Sequence, residues 1–342
     1  MIDLLKYRYV YLLISALIIV PGIIFMALGG LKPGIDFTGG SEVTVLMPRG
    51  VSASTGAIES VVKTVSYTNP QGKQASIQDT QAQLVTDKQY PNQQEYLIRV
   101  PDIGSDVTAQ HNLLVALQHK YDNKSGSVKE LQFNSVGGTI GSDTTTRAIQ
   151  AVIAAAVAIM LYMAWAFRKL QHPFVYGGAA IAALMHDVLV VLGVFAILGF
   201  FFNVRIDSLF VPAVLTVIGF SVHDTIVVFD RIRENIGRRT GEPYYTVVNN
   251  SLAQTLGRSL NTSLTVLLTL LALLLFGGAS IQVFVLALLI GIASGTYSSI
   301  FNATPLAVMW ETGEIPGLWG GGKGKKEAPT GPFRPRTARV SG

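Results

Sequence analysis

Residues 208–229 read SLFVPAVLTVIGFSVHDTIVVF, and residues 230–235 continue as DRIREN. An apolar run of about 20 residues is long enough to cross a bilayer as an α-helix. This run contains a single carboxylate, Asp224, and the basic residues Arg231 and Arg233 follow it, as expected at a membrane surface. The stretch therefore predicts a spanning helix with an ionisable group inside the bilayer, a costly arrangement that usually has a function.

Five further apolar runs bring the predicted spans to six: residues 9–28, 148–167, 174–202, 260–276 and 281–309. Only 14% of the 342 residues are charged, whereas soluble domains carry about a quarter. The composition therefore predicts an α-helical polytopic membrane protein. No small-residue cleavage site follows the first run, which favours an uncleaved anchor over a signal peptide.

The basic residues indicate an orientation. One side has Lys6, Arg8, Arg168 and Lys169, the loop at residues 231–258 and the tail, whereas the short loops of the other side carry only Arg205. By the positive-inside rule, both termini are predicted to be cytoplasmic. The net charge of +5 fits this membrane pattern, so we expect no nucleic-acid partner. The chain has no cysteine, which excludes disulfides and thiolate metal sites.

Four segments follow from this pattern. Residues 1–30 are predicted to hold the cytoplasmic N-terminus and the first span, and residues 31–146 an extracytoplasmic domain. Residues 147–310 are predicted to hold spans two to six, with a cytoplasmic loop at 231–258. Residues 311–342 are Gly-rich and basic, which predicts a disordered tail. Its role is open between a solubilising tail and contact with anionic lipid or RNA.

The predicted extracytoplasmic domain alternates between strand and helix patterns. Strands are expected at residues 41–48, 75–86, 95–100 and 128–136, and helices at residues 54–66 and 105–121, where Ser105 or Asp106 is a candidate N-cap. The order β-α-β-β-α-β is typical of a ferredoxin-like α+β fold. His111 and His119 are interpreted as surface residues, not metal ligands. We expect no enzyme activity, metal or cofactor here, and interpret the domain as a binding or lever module.

Two glycine-rich segments bracket this domain: residues 33–40, PGIDFTGG, and residues 136–141, VGGTIG. Glycine permits close backbone approach, so each segment suits a tight join to a helix bundle, and a flexible hinge is the alternative. Neither segment has the GK[ST] ending of a phosphate-binding loop.

The motifs GIDFTGG after the first span and GFSVHDTIVVFDRIREN in the fourth resemble the SecD/SecF family of the resistance-nodulation-division (RND) superfamily, and within it the SecF members. The similarity continues at residues 167–169 (FRK), 185–188 (MHDV) and 258–263 (RSLNTS). One departure is Gly138, where the family often has proline. The resemblance implies a six-span RND-type bundle in the bacterial cytoplasmic (inner) membrane. It also implies partnership with SecD and the SecYEG translocon, and help to Sec-dependent preprotein translocation driven by the proton motive force.

Asp224 is the principal candidate for a proton carrier, and the alternative is a static ion pair that packs helices. The resemblance implies that Arg258 is its counter-charge, although Arg258 could instead be a positive-inside anchor. We expect Ser221 and Thr225 to lie near the face of Asp224. His223 is a weaker relay candidate, since it points about 100° away from Asp224 on an ideal helix.

Asp187 and His186 form a second ionisable pair in the third span. This pair has two open interpretations: it forms part of a proton path, or it makes a polar contact between helices. Pro212 and Pro305 are expected to bend the fourth and sixth spans. The expected coupling ion is a proton, and sodium is possible.

Two other functions stay open at the level of the sequence. One is an RND-type exporter of small molecules or lipids. The other is an assembly factor of the translocon whose charges only pack helices. A charge-neutral Asp224→Asn variant separates coupling from packing.

Overall fold

The computed structural model describes residues 3–68, 72–85, 90, 92–104, 106–168, 173–238, 241–278 and 281–314. The chain divides into two compact units. The bundle comprises Met1–Leu31, Gln150–Val204 and Leu209–Gly342, and the inter-span domain comprises Lys32–Ile149 and Arg205–Ser208. Ser105, Lys169, Arg239 and the predicted tail beyond residue 314 lie outside the described residues.

Among the described residues, six helical segments are long and apolar enough to cross a membrane, which confirms the predicted number. They are α1 (Arg8–Ala27), α5 (Gly138–Ala166), α6 (Pro173–Phe202), α7 (Phe210–Arg238), α8 (Tyr244–Phe276) and a broken sixth segment containing α9 (Gln282–Ser298) and α10 (Thr304–Glu311). Helices α5 and α8 begin well before the predicted residues 148 and 260. Residues 244–259 are too polar to read as a span, yet they contain no proline to end a helix.

Helices α1 and α6 approach each other through glycine. A Cβ atom on Gly22 would lie 2.6 Å from the Cα of Gly193, and one on Gly193 would lie 2.8 Å from the Cα of Gly22. Real Cβ contacts are not this short, so both positions require glycine at the observed separation of the helices. Small residues at crossing points let spanning helices pack by close van der Waals contact.

A Gly193→Val substitution is expected to force α1 and α6 apart and to destabilise the bundle by about 1–3 kcal/mol or more, as overpacking does. The measurement is thermal unfolding of the purified protein in lipid. Gly177→Val is the matched control, because a Cβ on Gly177 meets open space in the same helix. Equal stability of both variants would contradict the assigned contact.

The sixth segment changes its helical type in the middle. A π-helical stretch, Ser299–Ala303, separates α9 from α10. Pro305 lies in the first turn of α10 and has no N–H to donate to the residue four positions earlier. The hydroxyl of Thr304 donates to the carbonyl of Ser299 at 3.3 Å. The sequence predicted a bend near Pro305, and the structure shows a change of helical type just before it. Pro212 lies in the first turn of α7, where a missing N–H costs nothing.

The inter-span domain is built on a four-stranded antiparallel sheet in the order β5-β6-β2-β7. Its strands are β2 (Gly40–Leu46), β5 (Gln81–Val85), β6 (Glu95–Val100) and β7 (Lys129–Val136), and its main helices are α3 (Thr55–Val62) and α4 (Val107–Tyr121). Buried side chains of the sheet and both helices, among them Val45, Ile58, Ile98 and Leu113, form one core. This is the predicted ferredoxin-like arrangement.

One predicted strand of this domain is wrong. Residues 75–86 divide into β4 (Gln74–Ser76), which pairs with β3 (Ser66–Thr68), and β5 of the main sheet. Ile77 is fully buried, and its N–H donates to the carbonyl of Val65 at 3.0 Å. This bond ends the small hairpin and lets the chain turn toward β5.

Both glycine-rich segments contain regular secondary structure. Residues 35–38 form a short helix, α2 (Ile35–Thr38), and Gly39 and Gly40 follow with φ of 74° and 126°. Such φ values strongly favour glycine. Gly138 is the first residue of α5, so this segment starts a helix.

A short strand, β8 (Arg205–Ile206), joins the inter-span domain from the loop between α6 and α7. It pairs in parallel with β1 (Lys32–Pro33). The N–H of Gly34 donates to the carbonyl of Ile206 at 2.7 Å, and the N–H of Ser208 donates to Asp36 at 2.8 Å. The sequence placed Arg205 in a short loop, and two-residue strands leave no pattern that would have predicted this pairing.

Candidate functional site

Asp187 is the most enclosed carboxylate of the bundle, with an exposed fraction of 0%. Four donors from three helices converge on it. Ser221 of α7 and Ser298 of α9 donate to Oδ2 at 2.5 and 2.6 Å, and Ser294 of α9 donates to Oδ1 at 2.7 Å. Nδ1 of His186 lies 3.0 Å from Oδ1. Because a carboxylate has about four acceptor sites, these contacts nearly fill the hydrogen-bonding capacity of Asp187.

Asp224 lies in α7 with an exposed fraction of 7%. Ser259 of α8 donates to its Oδ1 and Ser299 donates to its Oδ2, both at 2.5 Å. Among the described residues no cation pairs with Asp224. A buried carboxylate with only two neutral donors has unused acceptor capacity, so its charge is compensated much less well than that of Asp187.

The two carboxylates are linked by neighbouring residues of the sixth segment. Ser298 ends α9 and bonds Asp187, while Ser299 opens the π-helical stretch and bonds Asp224. A single helical junction therefore contacts the ionisable groups of two other helices. Single-turn π-helices often occur at functional sites.

The predicted partners of Asp224 are only partly correct. Ser221 is buried, but it donates to Asp187, and the hydroxyl of Thr225 donates to the carbonyl of Ser221 at 3.0 Å. Residues three or four positions apart share a helix face, which places these two side chains on the face toward α6 and α9. The expectation that they lie near Asp224 overlooked the second carboxylate.

Arg258 is exposed, and among the described residues it forms no ion pair with Asp224. Its neighbour Ser259 occupies the position expected of the counter-charge. The predicted ion pair is therefore absent in the single chain, because the buried face of α8 presents Ser259 and turns Arg258 outward. His223 is also exposed, consistent with its expected rotation away from Asp224.

His186 is buried beside Asp187, with an exposed fraction of 8%. Its ring lies 6.2 Å from the ring of Tyr297 in α9. Nδ1 is the ring nitrogen that contacts the carboxyl group of Asp187. His186 and Asp187 therefore form the predicted pair. Whether it conducts protons or holds helices together stays a prediction.

Sequence reasoning missed four site residues: Ser259, Ser294, Ser298 and Ser299. The available signal was the i, i+4 spacing of Ser294 and Ser298 in an apolar run, which places both on one helix face. Serine is common in spanning helices as a packing residue, so this signal is weak.

The described residues contain no group of three or more His, Cys, Asp or Glu side chains arranged to hold a metal ion. His111 and His119 are both exposed on α4. In the inter-span domain, Glu42 and Arg99 are partly buried and form an ion pair at 3.1 Å. Burial raises the pKa of Glu42 and lowers the pKa of Arg99, and their mutual attraction opposes both changes. Within the described part of the bundle, serine hydroxyls thus surround two buried carboxylates, Asp187 and Asp224.

Family models and curated relatives both match this chain to the same protein family. Residues 116–313 match the family model for the C-terminal region of the protein export membrane protein SecD/SecF, and residues 24–46 match the SecD/SecF GG motif. The chain is 49% identical to the protein translocase subunit SecF of Thermobaculum terrenum over 91% of this chain and 94% of that protein. It is 41% identical to the corresponding subunit of Anaerolinea thermophila over 92% and 96% of the two chains.

Among solved structures, the chain is similar to the crystal structure of SecDF, a translocon-associated membrane protein from Thermus thermophilus. The TM-score is 0.73 and the sequence identity is 30%. The match covers 91% of this chain and 38% of that chain. This chain thus spans less than half the length of SecDF.

Proposed function

The chain belongs to the SecD/SecF family of protein export membrane proteins as a SecF-type subunit, and from that premise we propose that it couples proton movement to preprotein translocation. In this proposal it acts in the bacterial inner membrane, beside the SecYEG translocon, on a preprotein that emerges from the channel. The observation that carries the proposal is Asp224, a buried carboxylate with two neutral donors and no cation among the described residues. The coupling requires no covalent chemistry and no cofactor.

The coupling depends on the free-energy difference between two states of Asp224. A carboxylate at the centre of a bilayer costs about 2.5–3.5 kcal/mol on the insertion scale. Two hydroxyl donors offset part of this cost, and protonation removes it. If the two charge states favour different arrangements of the helices, proton binding shifts the conformational population by that difference. The acceptor sites of Asp187 are nearly filled by hydrogen bonds, so in this proposal its charge state stays constant while that of Asp224 changes.

The exposed faces of α7 and α8 support the partnership with SecD. Helix α8 turns Arg258, Asn261, Thr262, Thr265 and Thr269 outward, and α7 turns Thr216, Gly219 and His223 outward. Polar side chains inside the membrane seldom face lipid. We therefore assign this polar face to SecD, with Arg258 and His223 meeting polar groups of the partner. The apolar exposed side chains of α1 and α5, such as Leu13, Leu17, Ile153 and Leu161, suit lipid.

The orientation follows from the basic residues and is part of the proposal. Arg231, Arg233 and Arg238 lie at the end of α7, and Arg8 lies at the start of α1. By the positive-inside rule these ends are cytoplasmic, and the inter-span domain lies on the opposite side.

An export assay with a defined ion gradient tests the proposed function. Membrane vesicles that contain the full chain, SecD and SecYEG are loaded with a preprotein intermediate, and a proton or sodium gradient is then imposed. The expected result is faster completion of transport with the proton gradient, and no such effect in vesicles lacking the chain. Equal transport with and without any gradient would overturn the proposal. If only the sodium gradient stimulates transport, the coupling ion is sodium and not the proton.

A further inference from the structure

Ser299 differs from Ser259, the other donor to Asp224, in having a second acceptor. Its hydroxyl lies 2.5 Å from Oδ2 of Asp224 and 3.2 Å from the backbone carbonyl of Thr296. Among the described residues, the hydroxyl of Ser259 bonds only Asp224. A serine hydroxyl has one hydrogen and two lone pairs, so Ser299 can donate to either acceptor, but not fully to both.

We propose that Ser299 is a positioning residue that switches between these two acceptors according to the charge of Asp224. This inference rests on the proposed function, since it needs Asp224 to take up a proton. With Asp224 ionised, Ser299 donates to Oδ2. When Oδ2 gains a proton, the new O–H donates to the Ser299 oxygen, and the Ser299 hydrogen turns to the carbonyl of Thr296.

The position of Ser299 lets this switch act on the helix. Ser299 is the first residue of the π-helical stretch, and its own carbonyl accepts from the hydroxyl of Thr304 at 3.3 Å. A serine hydroxyl that bonds the carbonyl of the preceding turn competes with the backbone ladder and bends helices. Protonation of Asp224 therefore changes the hydrogen bonds at the junction of α9 with the π-helical stretch, and α10 follows directly.

Few other ionisable groups face this site. The helices packed against α7 are α6, α8 and α9 with the π-helical stretch. In their central turns they contribute His186 and Asp187 from α6, Arg258 from α8, which is exposed, and Tyr297 from α9. The π-helical stretch has no ionisable side chain, and α7 itself adds the exposed His223. Among the described residues of the sixth segment, Ser299 is the one whose side chain bonds Asp224, so in this proposal it transmits the charge of Asp224 to that segment.

Infrared difference spectroscopy of the full chain in lipid nanodiscs tests the contact. The spectrum at low pH minus that at neutral pH is expected to show a protonated-carboxyl band that Asp224→Asn removes. Ser299→Ala is expected to shift this band to higher frequency, because the protonated carboxyl loses its acceptor, and Ser299→Thr is expected to restore it. Ser298→Ala is the matched control: it removes a neighbouring serine that bonds Asp187 and should leave the band in place.

Trp310 in α10 reports whether the change reaches the helix, since its ring lies over Gly178 of α6. In the Trp165→Phe, Trp319→Phe background, its fluorescence should change with pH, and this change should be absent in Asp224→Asn and Ser299→Ala but present in Ser298→Ala. A carboxyl band that Ser299→Ala leaves unshifted, or an unchanged Trp310 response in that variant, would overturn the role of Ser299 alone. A wild-type spectrum without any Asp224 band would overturn the proposed function itself.

Discussion

Replacing Asp224 by asparagine is expected to abolish the proton-dependent part of preprotein export while the protein still accumulates and copurifies with SecD. Asparagine has nearly the shape of a protonated aspartate, and its amide oxygen still accepts from Ser259 or Ser299. The asparagine side chain does not ionise, so residue 224 has only one charge state, which is neutral. Coupling free energies of about 1–3 kcal/mol correspond to about 5–150-fold, and the stimulation by a proton gradient should fall within that range.

Asp230→Asn is the matched control for this variant. Asp230 lies in the same helix, is exposed, and pairs with Arg233 three residues on, so its loss should leave export unchanged. The measurement is the rate of translocation in vesicles with and without the gradient. Full proton stimulation in Asp224→Asn vesicles would contradict the carrier role. Failure of the variant to assemble with SecD would instead favour a packing role for the carboxylate.

The bundle could be predicted from the sequence because its signals are physically simple. Apolar runs of sufficient length give spans, and an isolated carboxylate such as Asp224 is conspicuous within one. Partners are harder to predict, because they depend on the rotation of each helix about its axis. Arg258 and Ser259 are adjacent in sequence, about 100° apart on a helix, and only the second faces Asp224. An argument from charge predicted Arg258 as the partner of Asp224, whereas the packing of α8 places Ser259 there.

The sequence also could not predict that Asp187 and Asp224 have different roles. Both are single carboxylates in apolar runs, and each has a histidine immediately before it. They differ in the number of donors that the fold brings to them. That number depends on Ser294 and Ser298 of α9, which are more than 100 residues from Asp187 in the chain. The π-helical stretch was no more visible, since Pro305 indicates an irregularity but not its type.

Replacing Asp187 should have a different consequence from replacing Asp224. Asp187→Leu removes the acceptor of the Ser221 and Ser298 hydroxyls, which are buried, and of the part-buried Ser294 hydroxyl, and it also removes the contact with Nδ1 of His186. A buried donor without a partner costs about 1–3 kcal/mol. Some of these hydroxyls can turn to backbone carbonyls, as Ser298 can toward Gly295 at 3.3 Å. The net loss is therefore expected to be on the order of 3 kcal/mol or more.

Thermal unfolding of the purified full chain in lipid, together with its level of accumulation in membranes, measures this loss. Asp187→Leu should unfold at a clearly lower temperature than wild type, and Asp187→Asn should lie between the two, because one amide oxygen still accepts. Asp224→Asn should unfold close to wild type, since only two donors depend on that carboxylate and the amide oxygen keeps one of them. The opposite order, with a stable Asp187→Leu and an unstable Asp224→Asn, would mean that Asp224 holds the bundle together. In that case Asp187, with its histidine, would become the candidate that exchanges the proton.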